Sequence, residues 1–393
     1  MKKREKKKKI GISIKKARKV FGDSISRGPN KRQRSSNIQK ISKQTAIKNE
    51  DSNGIEERIF SPTASHALIK QIDGTLDFEE GSTSWWAMRV GKGWGSILKK
   101  DYDFSLQDAS REHIKEFLKK PIPQGALDNA LRFRSSTYER LNSVQDIIRV
   151  LPYSPTVLCF KYFKGMYTAP SGLVPLPKIW HKSKGNHSVM IGGYDPKRKI
   201  IKFLNSWGIE WGDRGWGYLH YKYVDRYMVE AWVDRRFSTN EKGTIKKVGE
   251  LDYEYKVYNS LIPARREQHV INVYRDNLIV GWLHFRFDSC GDVLSIEDVF
   301  VKSEWRNKGI GSQLLDYIAD IAKEYAILRI VCDVHSQDLI SDDNTEAINN
   351  LFVEKNGFEL FGYTKSFEGC LYRLVKPVYE DIFTDKKRRD PSA

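Results

Sequence analysis

The sequence is poor in cysteine, and its four cysteines lack the spacing of a metal site or a disulfide framework. No C-x-x-C pair occurs, and the cysteines lie far apart at Cys159, Cys290, Cys332 and Cys370. Structural zinc sites and secreted disulfide scaffolds need closely spaced cysteines, so the pattern argues against both, and we expect no metal. All four lie in or beside apolar runs, which indicates that most of them are small core residues and that the compartment is reducing and cytoplasmic.

Long hydrophobic runs are also missing from the chain. No stretch approaches the roughly 18 apolar residues of a membrane-spanning helix, so we expect no transmembrane segment. The apolar stretch at residues 10–14 is interrupted by Lys15 and Lys16, which makes it too short for a secretory signal.

Acidic residues are scarce at the N-terminus. Residues 1–50 hold 18 Lys or Arg against Glu5, Asp23 and Glu50, whereas the remaining residues hold 49 basic and 47 acidic ones. The net charge of +17 therefore belongs mainly to this segment. Its polar composition predicts a disordered basic tail over residues 1–54. Three interpretations stay open: a solvated leader, a localisation signal at residues 6–9, or an anchor that contacts nucleic acid or an anionic surface weakly.

The clearest pattern that is present is a strand, a basic glycine loop and a helix. Residues 294–301 are rich in β-forming side chains, and apolar residues at 310, 314, 318, 321 and 325 recur at helical spacing. Glycines between the two let backbone N–H groups approach an anion at the helix N-terminus, which predicts a pyrophosphate site. The predicted binding residues are Arg306, Asn307, Lys308, Gly309, Ile310, Gly311 and Ser312.

The R-x-x-G-x-G loop resembles that of the Gcn5-related N-acetyltransferases (GNAT), and residues 352–358, F-V-E-K-N-G-F, resemble the end of that family's last helix. The resemblance implies acyl transfer from acetyl-CoA to an amine of a peptide, protein or polyamine. It also implies that the backbone of Phe300 and Val301 pairs with the pantetheine arm. Many relatives reprotonate the CoA thiolate with a tyrosine where this chain has Val353, so a neighbouring Tyr or water must serve.

Transfer to an amine needs a group that accepts the amine's proton. Glu297 matches the position where many relatives keep a base that acts through water, and Asp298 is the reserve candidate. The alternative for either carboxylate is a simple ion pair with the basic loop.

A second pattern lies upstream, where residues 186–204 predict a β-hairpin around the Asp195–Pro196 turn. If Tyr194 faces Arg198, the same register sets His187 opposite Asn205. The Asn carbonyl would then accept the imidazole N–H and fix which ring nitrogen acts as a base. Trp207 would shield that hydrogen bond from water.

The pattern N-H-x-V, then N-S-W-G-x-x-W-G-x-x-G-W-G, resembles the C-terminal half of the papain-like cysteine peptidases. A looser resemblance extends to residues 60–62 and 80–94. It implies that His187 is the general base and Asn205 its orienting residue.

The nucleophile that this family requires is missing. No cysteine precedes Cys159, and the run V-L-C-F around it is typical of a central strand. Residues 21–27 are the segment most similar to the family's nucleophile segment, and in this alignment Arg27 stands at the cysteine position. Three interpretations follow: a pseudopeptidase kept for its peptide groove, a chain truncated relative to an active ancestor, or a thiol from another chain. Peptidase activity through Ser24 or Ser26, and a non-catalytic scaffold anchored by the basic tail, are further alternatives.

Together these patterns predict an α+β or α/β multidomain chain. A papain-like domain with a β-barrel half spans residues 55–240, and a GNAT domain with a mixed sheet and helices on both faces spans 245–377. A second basic tail covers 378–393. In the GNAT domain we expect a short helix at residues 253–261, a hairpin over 270–287, and a last helix from a D-x-x-E capping box at 343–346 to Asn356.

Overall fold

The structure is a computed structural model that describes residues 59–76, 81–104, 111–235, 243–262, 265, 267–335, 342–366 and 369–379. The predicted tail at 1–54 lies outside these residues, with Ser24, Ser26 and Arg27, and so does the C-terminal tail from residue 380. The chain falls into two compact units, and each is described by itself.

The first unit combines helices with a six-stranded sheet. Its helices are α1 (Pro62–Asp73), α2 (Ser84–Gly93), α3 (Arg111–Lys119), α4 (Gln124–Ala130), α5 (Val144–Val150) and α6 (Tyr221–Tyr227). Its strands are β1 (Thr137–Arg140), β2 (Thr156–Tyr162), β3 (Gly185–Asp195), β4 (Ile200–Leu204), β5 (Trp216–His220) and β6 (Met228–Arg235). The order is β1-β6-β2-β3-β4-β5, so within the described residues the sheet is open at β1 and β5.

The segments with the looser papain-like resemblance form α1 and α2. Ser61 Oγ accepts a hydrogen bond from Ala64 N at 3.0 Å, and Pro62 occupies the first turn of α1. Thr83 Oγ1 accepts one from Trp86 N at 3.3 Å at the start of α2. Both helices therefore begin where a hydroxyl side chain satisfies a first-turn N–H group.

The hairpin of β3 and β4 exists, but its predicted register is wrong. Asp195 pairs with Ile200 and Tyr194 with Ile201, so the turn is longer than the predicted one. The register also shifts at Gly192, between Ile191 and Gly193. A Cβ on Gly192 would lie 3.2 Å from the ring of Trp216, so this residue accommodates the close approach of an indole. His187 and Asn205 are therefore not a directly opposed pair.

The second unit contains an eight-stranded sheet in the order β13-β14-β12-β11-β10-β9-β8-β7. The strands are β7 (Thr244–Val248), β8 (Leu251–Asn259), β9 (Glu267–Arg275), β10 (Leu278–Phe287), β11 (Val293–Val301), β12 (Arg329–His335), β13 (Glu359–Ser366) and β14 (Gly369–Pro377). The helices are α7 (Ile310–Glu324) and α8 (Asp342–Ile348), and α8 continues as a π-helix, Asn349–Lys355. Strands β11 and β12 run parallel and β10 pairs antiparallel with β11, so the sheet is mixed, as predicted.

One apolar core joins this sheet to its helices. Four residues of the predicted stripe of α7, namely Ile310, Leu314, Ile318 and Ile321, are buried in it, and Phe352 of the π-helix belongs to the same cluster. The fifth, Tyr325, is the C-cap of α7 and is 55% exposed, so this part of the predicted stripe is wrong. Gly357 then ends the helical segment with a φ of 69°, a left-handed conformation that favours glycine.

The helix predicted at residues 253–261 is wrong, because these residues belong mainly to β8. The segment alternates apolar and charged side chains: Tyr253 and Tyr255 pack on the core, whereas Glu254 and Lys256 form an ion pair beside it. This period of two is the signature of a half-buried strand. The last predicted helix exists, but its second half widens to π geometry.

His269 of β9 makes the stability of this unit depend on pH. Its ring lies among Tyr255, Phe285 and Phe287, and the Tyr255 hydroxyl is 2.7 Å from Nδ1. Burial, with a smaller contribution from the charge of Arg286, lowers the pKa of His269 from 6.5 to about 4. Because the unfolded state binds the proton more readily, stability is complete above pH 6.5 and falls as the pH drops towards about 4.

We expect His269 to remove up to about 3 kcal/mol of stability between about pH 7 and about pH 4. Urea unfolding of the wild type and His269→Gln at both pH values measures the difference, with amide exchange of β9 assigning it to this unit. His181→Gln, which alters an exposed histidine, is the control. An equal pH dependence in wild type and His269→Gln would contradict the assignment.

Candidate functional site

The parallel strands β11 and β12 separate halfway along their length. Paired residues of the two strands run from Val293–Arg329 to Ile296–Cys332. Among the described residues, no residue of β11 after Ile296 pairs with β12. On its other side β11 stays paired with β10 as far as Gly281–Val301. The edge of β11 that carries the N–H and C=O of Val301 therefore lines the gap, whereas the bond from Lys302 N to Val280 O shows that alternate residues, Phe300 among them, turn these groups towards β10. The predicted pantetheine contact is thus open to Val301 and not to the backbone of Phe300.

The basic loop that follows β11 ends in a helix N-terminus without a side-chain cap. Asn307 and Gly309 have φ values of 61° and 81°, and Gly309 is the N-cap of α7. Gln313 N donates to Gly309 O at 3.0 Å. The N–H groups of Ile310, Gly311 and Ser312 lie in the turn before it, where a helix offers no partner of its own. These groups and the helix dipole make an anion site.

The loop before this helix end carries two cations and an amide side chain. Arg306, Asn307 and Lys308 are exposed. Arg306 Nε donates to Val301 O at 3.1 Å, and Lys308 Nζ lies 4.3 Å from the centroid of the Trp305 ring. Both cations thus belong to the segment that directly precedes α7, and their contacts there are with Val301 and Trp305.

Gly311 has a packing role that sequence reasoning missed. A Cβ at this position would lie 2.9 Å from Leu351 Cδ1, so the absent side chain lets α7 approach the π-helix. Asn356 Nδ2 supports the same contact by donating to Leu351 O at 2.7 Å and to Ser312 Oγ at 3.4 Å. Of the two glycines, Gly309 serves the loop conformation and Gly311 the helix packing.

The candidate base Glu297 occupies a β-bulge and is held by two neighbours. His284 pairs with Asp298 and Phe285 with Ile296, which leaves Glu297 as the extra residue of β11. Arg286 Nε donates to its Oε1 at 2.6 Å, and Gln268 Nε2 donates to its Oε2 at 3.0 Å. The carboxylate is an ion-pair partner, as the alternative expected, but its partner is Arg286 of β10 and not the loop.

The reserve candidate Asp298 is more deeply buried and bonded differently. Its Oδ2 accepts a hydrogen bond from Trp282 Nε1 at 3.0 Å. Glu297 keeps a side-chain exposure of 29%, whereas the Asp298 residue is 5% exposed. Water therefore reaches the Glu297 carboxylate more easily, which favours it as a base that acts through water.

Strands β9 and β10 carry buried polar side chains that sequence reasoning overlooked. Gln268, Asn272, His284 and Arg286 are all buried. They stand at alternate positions of their strands, between the apolar residues of the core. This alternation in the sequence could have predicted a polar sheet face next to Glu297.

In the first unit the structure brings His187 and Asn205 into contact despite the register shift. His187 Nε2 and Asn205 Oδ1 are 2.9 Å apart, and both residues are buried. Asn205 Oδ1 also accepts from Ser206 N at 2.8 Å, which fixes the oxygen towards the ring. Because Oδ1 is an acceptor, Nε2 carries the proton and Nδ1 of the neutral ring keeps the lone pair of a base. The catalytic role of the pair stays a prediction.

Aromatic rings enclose this pair. The centroid of Trp207 lies 5.2 Å from that of the His187 ring, and those of Tyr162 and Phe160 lie 5.8 and 5.9 Å away. Tyr167 stacks on Trp207 at 5.2 Å. Burial and the hydrogen bond with the Tyr167 hydroxyl raise the pKa of Tyr162, so this phenol stays neutral. Trp207 therefore lies beside the His187 ring, and its role as a shield against water stays a prediction.

Cys159 cannot serve as the thiol partner of His187, because the two side chains lie on opposite faces of the sheet. Phe160 pairs with His187 across β2 and β3 and contacts its ring, whereas the next pair is Cys159 with Ser188. Adjacent residues of a strand point to opposite faces. Cys159 is the only cysteine in the described part of this unit. Among the described residues of this unit, therefore, no cysteine lies against the His187–Asn205 pair.

Two further searches concern the described part of the chain. It contains no group of three or more His, Cys, Asp or Glu placed to hold a metal ion. Likewise, none of its helices is both long and apolar enough to cross a membrane.

Comparison with known proteins agrees with both resemblances. Residues 227–358 match the model of the Acetyltransferase (GNAT) family. A curated relative, the uncharacterized peptidase C1-like protein L477 of Acanthamoeba polyphaga mimivirus, is 30% identical over 76 residues, which are 19% of this chain and 24% of the relative. The chain thus spans about a quarter of the length of the curated relative it matches.

Two solved structures are also similar. Xylellain, a cysteine protease from Xylella fastidiosa, has a TM-score of 0.42 at 21% identity, over 46% of this chain and 72% of that one. A putative streptothricin acetyltransferase from Bacillus anthracis, solved with acetyl coenzyme A, has a TM-score of 0.24 at 20% identity, over 28% of this chain and 62% of that one.

The C-terminal part of the chain is a GNAT acetyltransferase domain. The identity to a peptidase C1-like protein supports a papain-like region in the same chain.

Proposed function

We propose that the chain is an acyl-CoA-dependent N-acyltransferase that transfers an acetyl group from acetyl-CoA to an amine. The observation that carries this proposal is the gap between β11 and β12 beside the uncapped N-terminus of α7. The gap suits the extended pantetheine arm, and the helix end with Arg306 and Lys308 suits the pyrophosphate. A cytoplasmic location fits the same proposal, because acetyl-CoA is available there.

In this proposal Glu297 removes the proton that blocks the amine. Deprotonating a lysine-like amine near pH 7 costs about 4 kcal/mol, so a base near the thioester is worth a large factor in rate. The ion pair with Arg286 and the bond from Gln268 hold the carboxylate at the bulge where the strands separate. The free amine then attacks the thioester carbonyl, and the thiol of CoA leaves.

We expect calorimetry to detect acetyl-CoA binding to the intact protein and to a Gly291→Glu control, but not to a Gly309→Glu, Gly311→Glu double variant. The two carboxylates would stand at the helix end where the pyrophosphate binds, and like charges repel. Gly291 shares the positive φ and has open space around it, so its variant adds the same charge elsewhere. Because Gly311→Glu also meets Leu351, Lys308→Glu is a second variant that leaves the packing intact. Failure of the wild type to bind, or equal binding by all variants, would overturn the proposal.

We further propose that the papain-like region holds a peptide without cleaving it. The supporting observation is that the His187–Asn205 pair is assembled while Cys159 faces away from it. The alternatives are peptidase activity through a nucleophile outside the described residues, and a scaffold anchored by residues 1–50. Labelling by a thiol- or serine-directed peptidase probe that disappears in His187→Ala would favour the first alternative. Salt-sensitive retention that is lost when residues 1–50 are deleted would favour the second.

A further inference from the structure

The loop that leads into β3, residues 173–184, lies in a part of the sequence without acidic residues. Between Asp146 and Asp195 the chain contains no Asp or Glu. The same interval holds six basic residues, namely Arg149, Lys161, Lys164, Lys178, Lys182 and Lys184. Three of the lysines lie in the loop itself, so its local charge is entirely positive.

The loop presents two large apolar side chains at the apex of an ordered turn. His181 N donates to Lys178 O at 2.9 Å, and Lys178 N donates to His181 Nδ1 at 3.3 Å. These bonds close a four-residue turn whose two central residues are Ile179 and Trp180. Ile179 is 95% exposed and Trp180 71% exposed. Pro175 and Pro177 stiffen the segment that leads into the turn.

This exposure costs free energy that an apolar partner would recover. Single exposed apolar residues are ordinary, but here an Ile–Trp pair occupies the centre of one turn, and Leu173 and Leu176 are also exposed on the segment that leads into it. Around it, Lys178 Nζ lies 5.4 Å from the centroid of the Trp180 ring. Within the described part of the chain no carboxylate pairs with Lys178, Lys182 or Lys184.

We propose that this loop docks on an anionic lipid bilayer, with Ile179 and Trp180 inserted at the interface and Lys178, Lys182 and Lys184 on the lipid phosphates. An indole prefers the headgroup level of a membrane, an aliphatic neighbour enters the acyl boundary, and lysines beside the surface are attracted by anionic lipids. Single-stranded nucleic acid fits less well, because Ile179, Leu173 and Leu176 offer no ring on which a base can stack. This proposal is independent of acetyl transfer.

The test is vesicle binding by the full chain. Sedimentation with phosphatidylcholine vesicles, with and without phosphatidylserine, compares the wild type with Ile179→Ser/Trp180→Ser. We expect the double variant to bind phosphatidylserine vesicles at least about tenfold more weakly, since it loses two buried apolar side chains. Phe361→Ser, which removes an equally exposed ring from β13, is the matched control and should bind as the wild type does.

The basic N-terminal segment also attracts anionic vesicles, so salt separates the two contributions. Raising the ionic strength shortens the screening length and weakens binding through residues 1–50 in every variant, but the ratio between wild type and double variant should persist. Brominated lipids should quench the wild-type fluorescence more than that of Trp180→Phe, because the difference reports Trp180 alone. Equal vesicle binding by wild type and Ile179→Ser/Trp180→Ser would overturn the proposal. The proposal would also be overturned if Ile179→Ser/Trp180→Ser kept its vesicle binding and lost only its binding to a single-stranded oligonucleotide. The loop would then be a nucleic-acid contact.

Discussion

Glu297→Gln is expected to lower kcat for acetyl transfer by roughly 10²- to 10³-fold near neutral pH, with little change in KM for acetyl-CoA. The amide has nearly the shape of the carboxylate but cannot accept the amine's proton. The defect should shrink as the pH rises towards about 10, where the acceptor amine loses its proton without help. The measurement is the pH profile of kcat/KM for wild type and variant with the same acceptor.

Two companion variants make this result specific. Asp298→Asn alters the reserve candidate, and it should leave the shape of the pH profile unchanged if Glu297 is the base. Arg286→Gln removes the ion pair that positions Glu297 without touching the proposed proton acceptor. It should lower kcat less than Glu297→Gln and keep the acidic limb of the profile. A profile that changes in Asp298→Asn and not in Glu297→Gln would transfer the role to Asp298.

The sequence predicted the strand, the basic loop and the helix well because the three are contiguous in the chain. Strand, basic loop and helix follow one another from residue 294 to residue 325, and local rules suffice to order them. Even so, the sequence could not predict the packing role of Gly311, because Leu351 contacts it from a distant part of the chain. Local patterns indicate what a segment can bind, and they do not report which neighbour packs on it.

The supports of Glu297 could not be predicted, because they come from three strands. Gln268, Arg286 and Glu297 belong to β9, β10 and β11, and they meet only when the β-bulge at Glu297 sets the register. Nothing in the sequence marks that extra residue. The same physical limit made the predicted β3–β4 register wrong: the register shifts at Gly192, where the ring of Trp216 from β5 lies close to the backbone. The contact of His187 with Asn205 was predicted from that wrong register, and it exists because the family resemblance, which also implied it, does not depend on the register.

Phe160→Ala should destabilise the first unit by about 3 to 5 kcal/mol, the range for a large buried ring. Phe160 is fully buried, and its ring contacts those of Phe203 and Tyr223 edge-on at 6.0 and 5.7 Å. The variant leaves a cavity that the surrounding β-sheet closes only in part. Urea unfolding of the full chain measures the loss, and Tyr153→Ala, at a residue 72% exposed, is the control that should change stability by less than about 0.5 kcal/mol.

The same ring also supports the His187–Asn205 pair, so the variant tests more than stability. The Phe160 ring stands at 89° to the imidazole with centroids 5.9 Å apart, and it limits how the His187 ring can turn. Without it, the hydrogen bond from Nε2 to Asn205 should be less persistent, which an imidazole NMR signal with faster proton exchange would report. A loss of stability below about 1 kcal/mol would contradict the prediction, because it would mean that the neighbouring side chains move in and fill the cavity. A large loss of stability with an unchanged imidazole signal would instead show that Asn205 and Trp207 alone hold the ring.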